Sequence, residues 1–295
     1  MNDEKSYYAH YFWLAIITFI VPFFVAYKAF DKISPASKPT PNPDASGVDH
    51  GLWDYLLKTY VRNGKVDYDG MNKDYLFKIY LRQLGSADVE ALDSRDDQLA
   101  LYCNAYNALV IQGVIRNKVE NSVKEIKVDG QGFFNLKEHL FANRTYSLNE
   151  LEHDIIRPQF KEPRVHMALV CAAKSCPAIR AEAYVGARLD QQLEDQVKLF
   201  ANNVNHVRYD TKQNQVLINS VLDWYGHDFD PQGGFRKFLA ERVDSAALKE
   251  KLLAADQDLI QTSFIEYDWS LNTTGKKNNA KYHSSESGSG TIPNE

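Results

Sequence analysis

Along this chain the apolar positions fall into three regimes: one unbroken run, several helical stripes and a few short strand-like alternations. The unbroken run spans residues 11–27 (YFWLAIITFIVPFFVAY), which carry no charge. That length sits at the lower limit for crossing a bilayer, and no polar face interrupts it, so it predicts a membrane-spanning helix over 11–30. Helical spacing follows at 51–60, with Leu52, Tyr55 and Leu56 on one side, and at 74–85, with Tyr75, Ile79, Tyr80 and Leu84. The longest stripe runs over 98–117 through Leu99, Tyr102, Tyr106, Leu109, Val110 and Val114, which suits a central buried helix opened by Asp96 or Asp97. A second amphipathic helix is predicted over 186–202, through Leu189, Leu193, Val197 and Phe200. Shorter helices are expected at 233–240 and 246–254.

Turn chemistry places the remaining elements. Asn63-Gly64 between Tyr60 and Tyr68 predicts a two-residue hairpin turn. Ser147 with Glu150 three residues on predicts a capping box at the start of a helix over 150–156. Residues 207–209 and 215–219 read as a second hairpin, and 264–269 as a last strand-like segment. Residues 165–170 are a short apolar run consistent with a buried strand, stopped by the turn-like Lys174-Ser175-Cys176-Pro177. The expected fold class is therefore α+β: a mainly helical domain with a small antiparallel or mixed sheet, papain-like in layout. Its expected organisation is a short segment 1–10, the span 11–30, a proline-rich linker 31–48, one domain over 49–272 and a disordered tail 273–295.

Composition narrows the function classes. Hydrophobic content of 44% and charged content of 25% describe an ordinary globular body, and a net charge of −5 argues against nucleic acid as a partner. Three cysteines are too few for a disulfide scaffold. Small residues at signal-cleavage positions are not evident after the apolar run, which favours an uncleaved signal anchor over a removed signal peptide. Only Lys5 precedes the run, against Lys28, Lys32 and Lys38 after it, so flanking charge gives no clean orientation. The expectation is a body held outside the cytoplasm (periplasmic if bacterial), with the membrane as a partner through the N-terminal helix.

Several segments in order form a recognisable pattern. They are Asn63-Gly64-Lys65-Val66-Asp67-Tyr68, Asn104-Ala105-Tyr106-Asn107-Ala108-Leu109 and Leu148-Asn149-Glu150-Leu151-Glu152-His153, then the run from His166 to Pro177 (HMALVCAAKSCP), Trp224-Tyr225 with Asp228-Phe229, and Tyr267-Asp268-Trp269-Ser270-Leu271-Asn272. Over 49–272 the chain resembles the family catalogued as domain of unknown function 547. The resemblance implies export for a bacterial member. Fusion of some eukaryotic members to glutaredoxin-like domains hints at thiol or glutathione-related chemistry. Cys103 departs from the family pattern, where that position is usually aliphatic, which makes it a poor candidate for chemistry.

The candidate site follows from residue type. Cys176, in a turn, is read as a nucleophile, with His166 as its base and Asn104 as an orienting or oxyanion-holding amide. Strand parity puts His166 on the face opposite Cys171. Lys174 and Ser175 beside the thiol, Asn107 on the same helix side as Asn104, and Glu152 with His153 are the expected binding residues. Asp228 and Asp268 are alternative orienting carboxylates. Equally open is a structural Cys171–Cys176 disulfide, since an exported protein meets an oxidising environment. No C-x-x-C or H-E-x-x-H spacing occurs, so no metal is expected, and with no phosphate-binding fingerprint no cofactor is expected either. The two resulting expectations are a cysteine-dependent hydrolase or acyl transferase acting on a peptide or thiol-containing amide, and a non-catalytic envelope module binding a small-molecule or peptide ligand.

Overall fold

The helix spanning Arg95–Arg116 is the axis of the body, and every residue from Leu99 to Ile111 on it is buried. Its start is one step earlier than the acidic pair suggests: Ser94 is the cap, its Oγ accepting the Asp97 N–H at 3.0 Å, while Asp96 and Asp97 sit in the first turn. This computed structural model of the chain describes residues 38–40, 42–254 and 260–275. The expected membrane segment 11–30 lies outside the described residues. From Thr40 onward the described residues form one compact unit.

Against the central helix pack His50–Tyr60 and Tyr75–Gly85, capped by Asp49 and Asp74, with Trp53 and Tyr80 stacked at 5.2 Å. Leu189–Ala201 packs on it from another side, burying Leu189, Leu193, Val197 and Phe200 as its stripe requires. The Asn63-Gly64 turn has positive φ at both residues, 51° and 72°, as a primed hairpin turn demands. It joins two-residue strands Val61–Arg62 and Lys65–Val66. The largest sheet has three strands: Val207–Asp210 and Gln215–Asn219 form the expected hairpin, and Gln261–Ile265 adds parallel to the second. The fold is mainly helical with small antiparallel and mixed sheets.

Three expectations change. Residues 165–170 are not a strand: Pro163–Met167 is a 3-10 helix, started by Pro163 and by Glu162, whose side chain accepts the Arg164 N–H at 3.2 Å. A segment buried on all sides carries no period by which to tell strand from helix. The linker gives way to the fold before residue 48, since Asn42 N–H donates to Asp49, Asp88 N–H to the Ser46 carbonyl, and Val48 is fully buried. At the other end Thr273 bridges Val66 and the Thr274 N–H donates to the Val66 carbonyl, so the body continues past residue 272. The rest of the expected tail lies outside the described residues.

The segment Glu150–Ile156 has its capping box: Ser147 Oγ accepts the Glu150 N–H at 3.1 Å, and Glu150 accepts the Ser147 N–H at 2.7 Å. The turn that follows is a π-helix, not an α-helix, with the Arg157 N–H reaching back to the Glu152 carbonyl. Such wide turns recur at functional sites, and this one aims both Glu152 and His153 inward.

Candidate functional site

Two polar clusters lie side by side in the body. The first is built on His166, whose Nε2 lies 2.7 Å from Asp228 Oδ2. Asp228 is held in turn by the Arg157 fork, Nε to Oδ2 at 2.8 Å and Nη2 to Oδ1 at 2.9 Å. The third guanidinium nitrogen, Nη1, donates to His153 Nδ1 at 2.8 Å, which requires that nitrogen to be unprotonated. Tyr225 lies flat on the His166 ring at a centroid distance of 4.0 Å, and the Arg157 guanidinium stands 4.9 Å over the same phenol ring. The His166 side chain is buried, whereas Asp228 is 29% exposed. Asp228 and Arg157 also line a cavity of about 200 Å³, with Lys161, Glu162, Pro163, His227 and Pro231 on its other walls.

The electrostatics follow from these bonds. Burial works against charge on Asp228, but the hydrogen bonds from His166 and Arg157 override it and hold the carboxyl well below the usual carboxylate range. Burial, assisted by the Arg157 charge, lowers the His153 pKa and keeps it neutral as an acceptor. The His166 imidazole thus has one nitrogen fixed by a carboxylate that is itself anchored by Arg157.

The second cluster holds the thiols. Cys171 and Cys176 are both buried, with no bond between their sulfurs. The Cys171 N–H donates to Cys176 Sγ at 3.0 Å, and Cys171 Sγ lies 3.0 Å from the Tyr267 hydroxyl. Between them Ala172 adopts the left-handed region at φ 61°, an uncommon conformation for a residue with a Cβ. Tyr225 stacks on His166, and burial, followed by the Glu152 carboxylate, raises its pKa well above the ordinary phenol value.

The expected triad is not assembled as one hydrogen-bonded set. Among the described contacts His166 pairs with Asp228 and not with Cys176. Asn104 is occupied elsewhere, its Oδ1 accepting the Tyr184 N–H and its Nδ2 donating to the Tyr184 carbonyl, each at 2.8 Å. Asn107 does the same for the signature loop, taking the Val170 N–H at 3.0 Å and donating to the Ala168 carbonyl at 2.9 Å. These amides supply the backbone partners that an irregular buried segment otherwise lacks. Ser175 Oγ accepts the Asp268 N–H at 2.8 Å, which makes both residues loop fasteners, and Lys174 is exposed. Glu152 is buried, with Tyr106 Oη donating to it at 2.7 Å, and His153 reaches the His166 cluster through Arg157. Burial drives the Cys103 thiol far up, in keeping with an inert position. Among the described residues no group of three or more His, Cys, Asp or Glu is placed to hold a metal ion.

Arg157, Tyr225 and Tyr267 complete the two clusters and are not among the residues expected from sequence. Arg157 was within reach of the rule that residues four apart share a helix face, applied from His153. Tyr225 and Tyr267 fall inside motifs quoted for the resemblance, but only contact shows what they touch.

The same region is where the chain matches a known family. Residues 89–201 match the family described as "Protein of unknown function, DUF547". The DUF547 match takes in the central helix, the π-helix and the whole Cys171–Cys176 loop, a narrower span than the 49–272 of the resemblance. Asp228, Tyr225 and Tyr267 lie beyond it. No curated protein and no solved structure matches the chain.

Proposed function

We propose that this chain is a membrane-tethered, extracytoplasmic, cysteine-dependent hydrolase or acyl transferase acting on a peptide or thiol-containing amide. Its thiol comes from the Cys171/Cys176 pair, and the His166–Asp228 pair handles the proton. The observation that carries this reading is the 2.7 Å His166–Asp228 contact, with Asp228 clamped by both arms of Arg157. A clamp of that kind spends an arginine on fixing the carboxylate that orients an imidazole, beside a buried thiol pair. The tether rests on the uncharged run 11–27. The test is turnover of model thioesters and small amides by the full chain in detergent. Wild type is expected to turn over, with Asp228→Asn losing about 10²–10⁴-fold in kcat, the range of general acid–base catalysis. Equal rates for Asp228→Asn, His166→Gln and wild type would overturn it.

A second reading is favoured by the 3.0 Å approach of Cys176 Sγ to the Cys171 N–H, which brings the two cysteines together where an oxidising compartment could close them as a staple of a binding module. Mass measurement of the unreduced protein, two hydrogens lighter per bridge, distinguishes it.

A further inference from the structure

We infer that His153 is a hydrogen-bond donor to substrate, its Nε2–H meeting the carbonyl oxygen that becomes negative as a thiol adds, and that Arg157 is the positioning residue that fixes the proton there. This deepens the proposed function and rests on its reading of the site as one for acyl chemistry. In the step concerned, the thiol proton passes to His166 Nδ1 and the sulfur bonds the carbonyl carbon. The C=O π pair moves onto oxygen, where the Nε2–H of His153 stabilises it without being transferred.

Hydrogen-bond chemistry sets the proton positions. A guanidinium has donors and no acceptor, so the 2.8 Å contact from Arg157 Nη1 leaves His153 Nδ1 a bare lone pair and puts the ring proton on Nε2. Asp228, anchored by the other two nitrogens of the same arginine, accepts from His166 Nε2, which places a proton there too. The two rings therefore have different atoms left over: the Nδ1 lone pair of His166 and the Nε2–H of His153. Neither atom has a hydrogen-bond partner among the described contacts. One is a base and the other a donor, the two functions that addition of a thiol to a carbonyl needs.

Nothing in the packing asks for an arginine on this histidine. The contact stabilises the fold only while His153 stays neutral, since a protonated ring would set two cations against each other. The Arg157 side chain is 28% exposed, so solvent is an alternative partner to the ring. Among the described histidines His153 alone is bonded to a guanidinium, whereas His50, His206 and His227 meet a hydroxyl, an amide and a carboxylate. Burial, joined by the Arg157 charge, lowers the His153 pKa, in step with that geometry.

Placement agrees. Tyr225 lies nearly parallel to both rings, at 18° to His166 and 26° to His153, with centroids 4.0 and 6.1 Å away. His166 is buried and His153 half-buried, which leaves the donor ring the more accessible of the two to substrate.

The experiment uses the full chain in detergent, with nitrogen-15 in its eight histidines. Two-bond proton–nitrogen spectra read which ring nitrogens carry protons, and the His153 signals are those lost in His153→Gln. Wild type is expected to show His153 neutral at neutral pH, with Nε2 protonated and Nδ1 bare. Arg157→Met, which has no donor, is expected to leave His153 a mixture of tautomers. Turnover of the model thioesters and small amides is measured alongside. His153→Leu is expected to lose about 10²–10³-fold in kcat with KM little changed, the loss for one donor to an oxyanion. His153→Gln, whose amide both accepts from Arg157 and donates, is expected to recover about tenfold of that loss. The wild-type spectrum tests the proton position even where His153→Leu fails to fold. A His153 ring protonated on Nδ1, a wild-type rate in His153→Leu, or a His153→Gln no faster than His153→Leu overturns the inference. If Asp228→Asn and His166→Gln abolish turnover while His153→Leu keeps it, the proposed function survives and this inference does not. If wild type turns over none of these substrates, both fail.

Discussion

Asn107 Oδ1 accepts the Val170 N–H at 3.0 Å while its Nδ2 donates to the Ala168 carbonyl, so one side chain stands where a neighbouring strand would. The loop carrying Cys171 is therefore fastened to the central helix by amide chemistry. Gln196 and Asn219 extend the same device, donating to the carbonyls of Ala178 and Ser175 at 2.9 and 2.8 Å.

Asn107→Ala strips partners from two buried backbone groups at once. At about 1–3 kcal/mol for each unsatisfied buried group, the expected loss is about 2–6 kcal/mol. Urea unfolding of the two proteins measures it. A loss under about 0.5 kcal/mol would mean the amide is not the fastener.

Asp228 makes stability depend on acid. Its folded pKa lies below the unfolded carboxylate value of about 4, so its contribution is complete above that value and is lost as pH falls through it toward the folded pKa. Asp228→Asn lacks this component. The stability gap between wild type and Asp228→Asn, followed by thermal melts, should be widest near about pH 6 and narrow toward about pH 3. A gap that stays constant would show that the carboxylate's charge is not what Arg157 and His166 hold.

His139 is fully buried, neither ring nitrogen has a hydrogen-bond partner, and burial, aided by the Arg116 charge, lowers its pKa to about 4. The unfolded chain binds the proton first, near 6.5, so stability is full above about 6.5 and falls as pH drops toward about 4. Replacing it by leucine removes that slope. Near pH 5 the linkage is about 2 kcal/mol at 1.36 kcal/mol per unit. His139→Leu is thus expected to be the more stable protein at pH 5 relative to its own value at pH 7, read from urea midpoints.

Gly186 lies against the start of the central helix, where an added Cβ would come 2.8 Å from the Asp97 backbone nitrogen and closer still to the Asp97 carboxylate. Backbone there cannot retreat without loosening the helix start that Ser94 caps. Gly186→Ala is expected to cost about 1–3 kcal/mol, the range for overpacking, by thermal or urea unfolding. An unchanged midpoint would show that the loop before Leu189 yields freely.

Local signals in the sequence were sufficient for those elements whose cause is local. The helical stripe through Leu99, Tyr106 and Val110, the Asn63-Gly64 turn and the Ser147–Glu150 capping box each depend on residues a few positions apart, and each is present. The 165–170 segment failed for a physical reason: it is buried on every side, so it has no polar face to report a period, and the Met167 and Ala168 carbonyls and the Val170 N–H are taken by side chains of distant helices.

The amino-acid sequence by itself determined the helical stripes, the turn chemistry, the uncharged N-terminal run and the family signature that brings His166, Cys171 and Cys176 into one stretch. Tertiary structure alone decided who touches whom. His166 and Asp228 are 62 residues apart, and Cys171 and Tyr267 are 96 apart. No periodicity spans such distances, because those contacts follow from packing whole elements against the central helix. That packing also turned Asn104 and Asn107 from chemical candidates into backbone fasteners, since a buried amide is committed to whichever unpaired backbone groups the fold lays beside it.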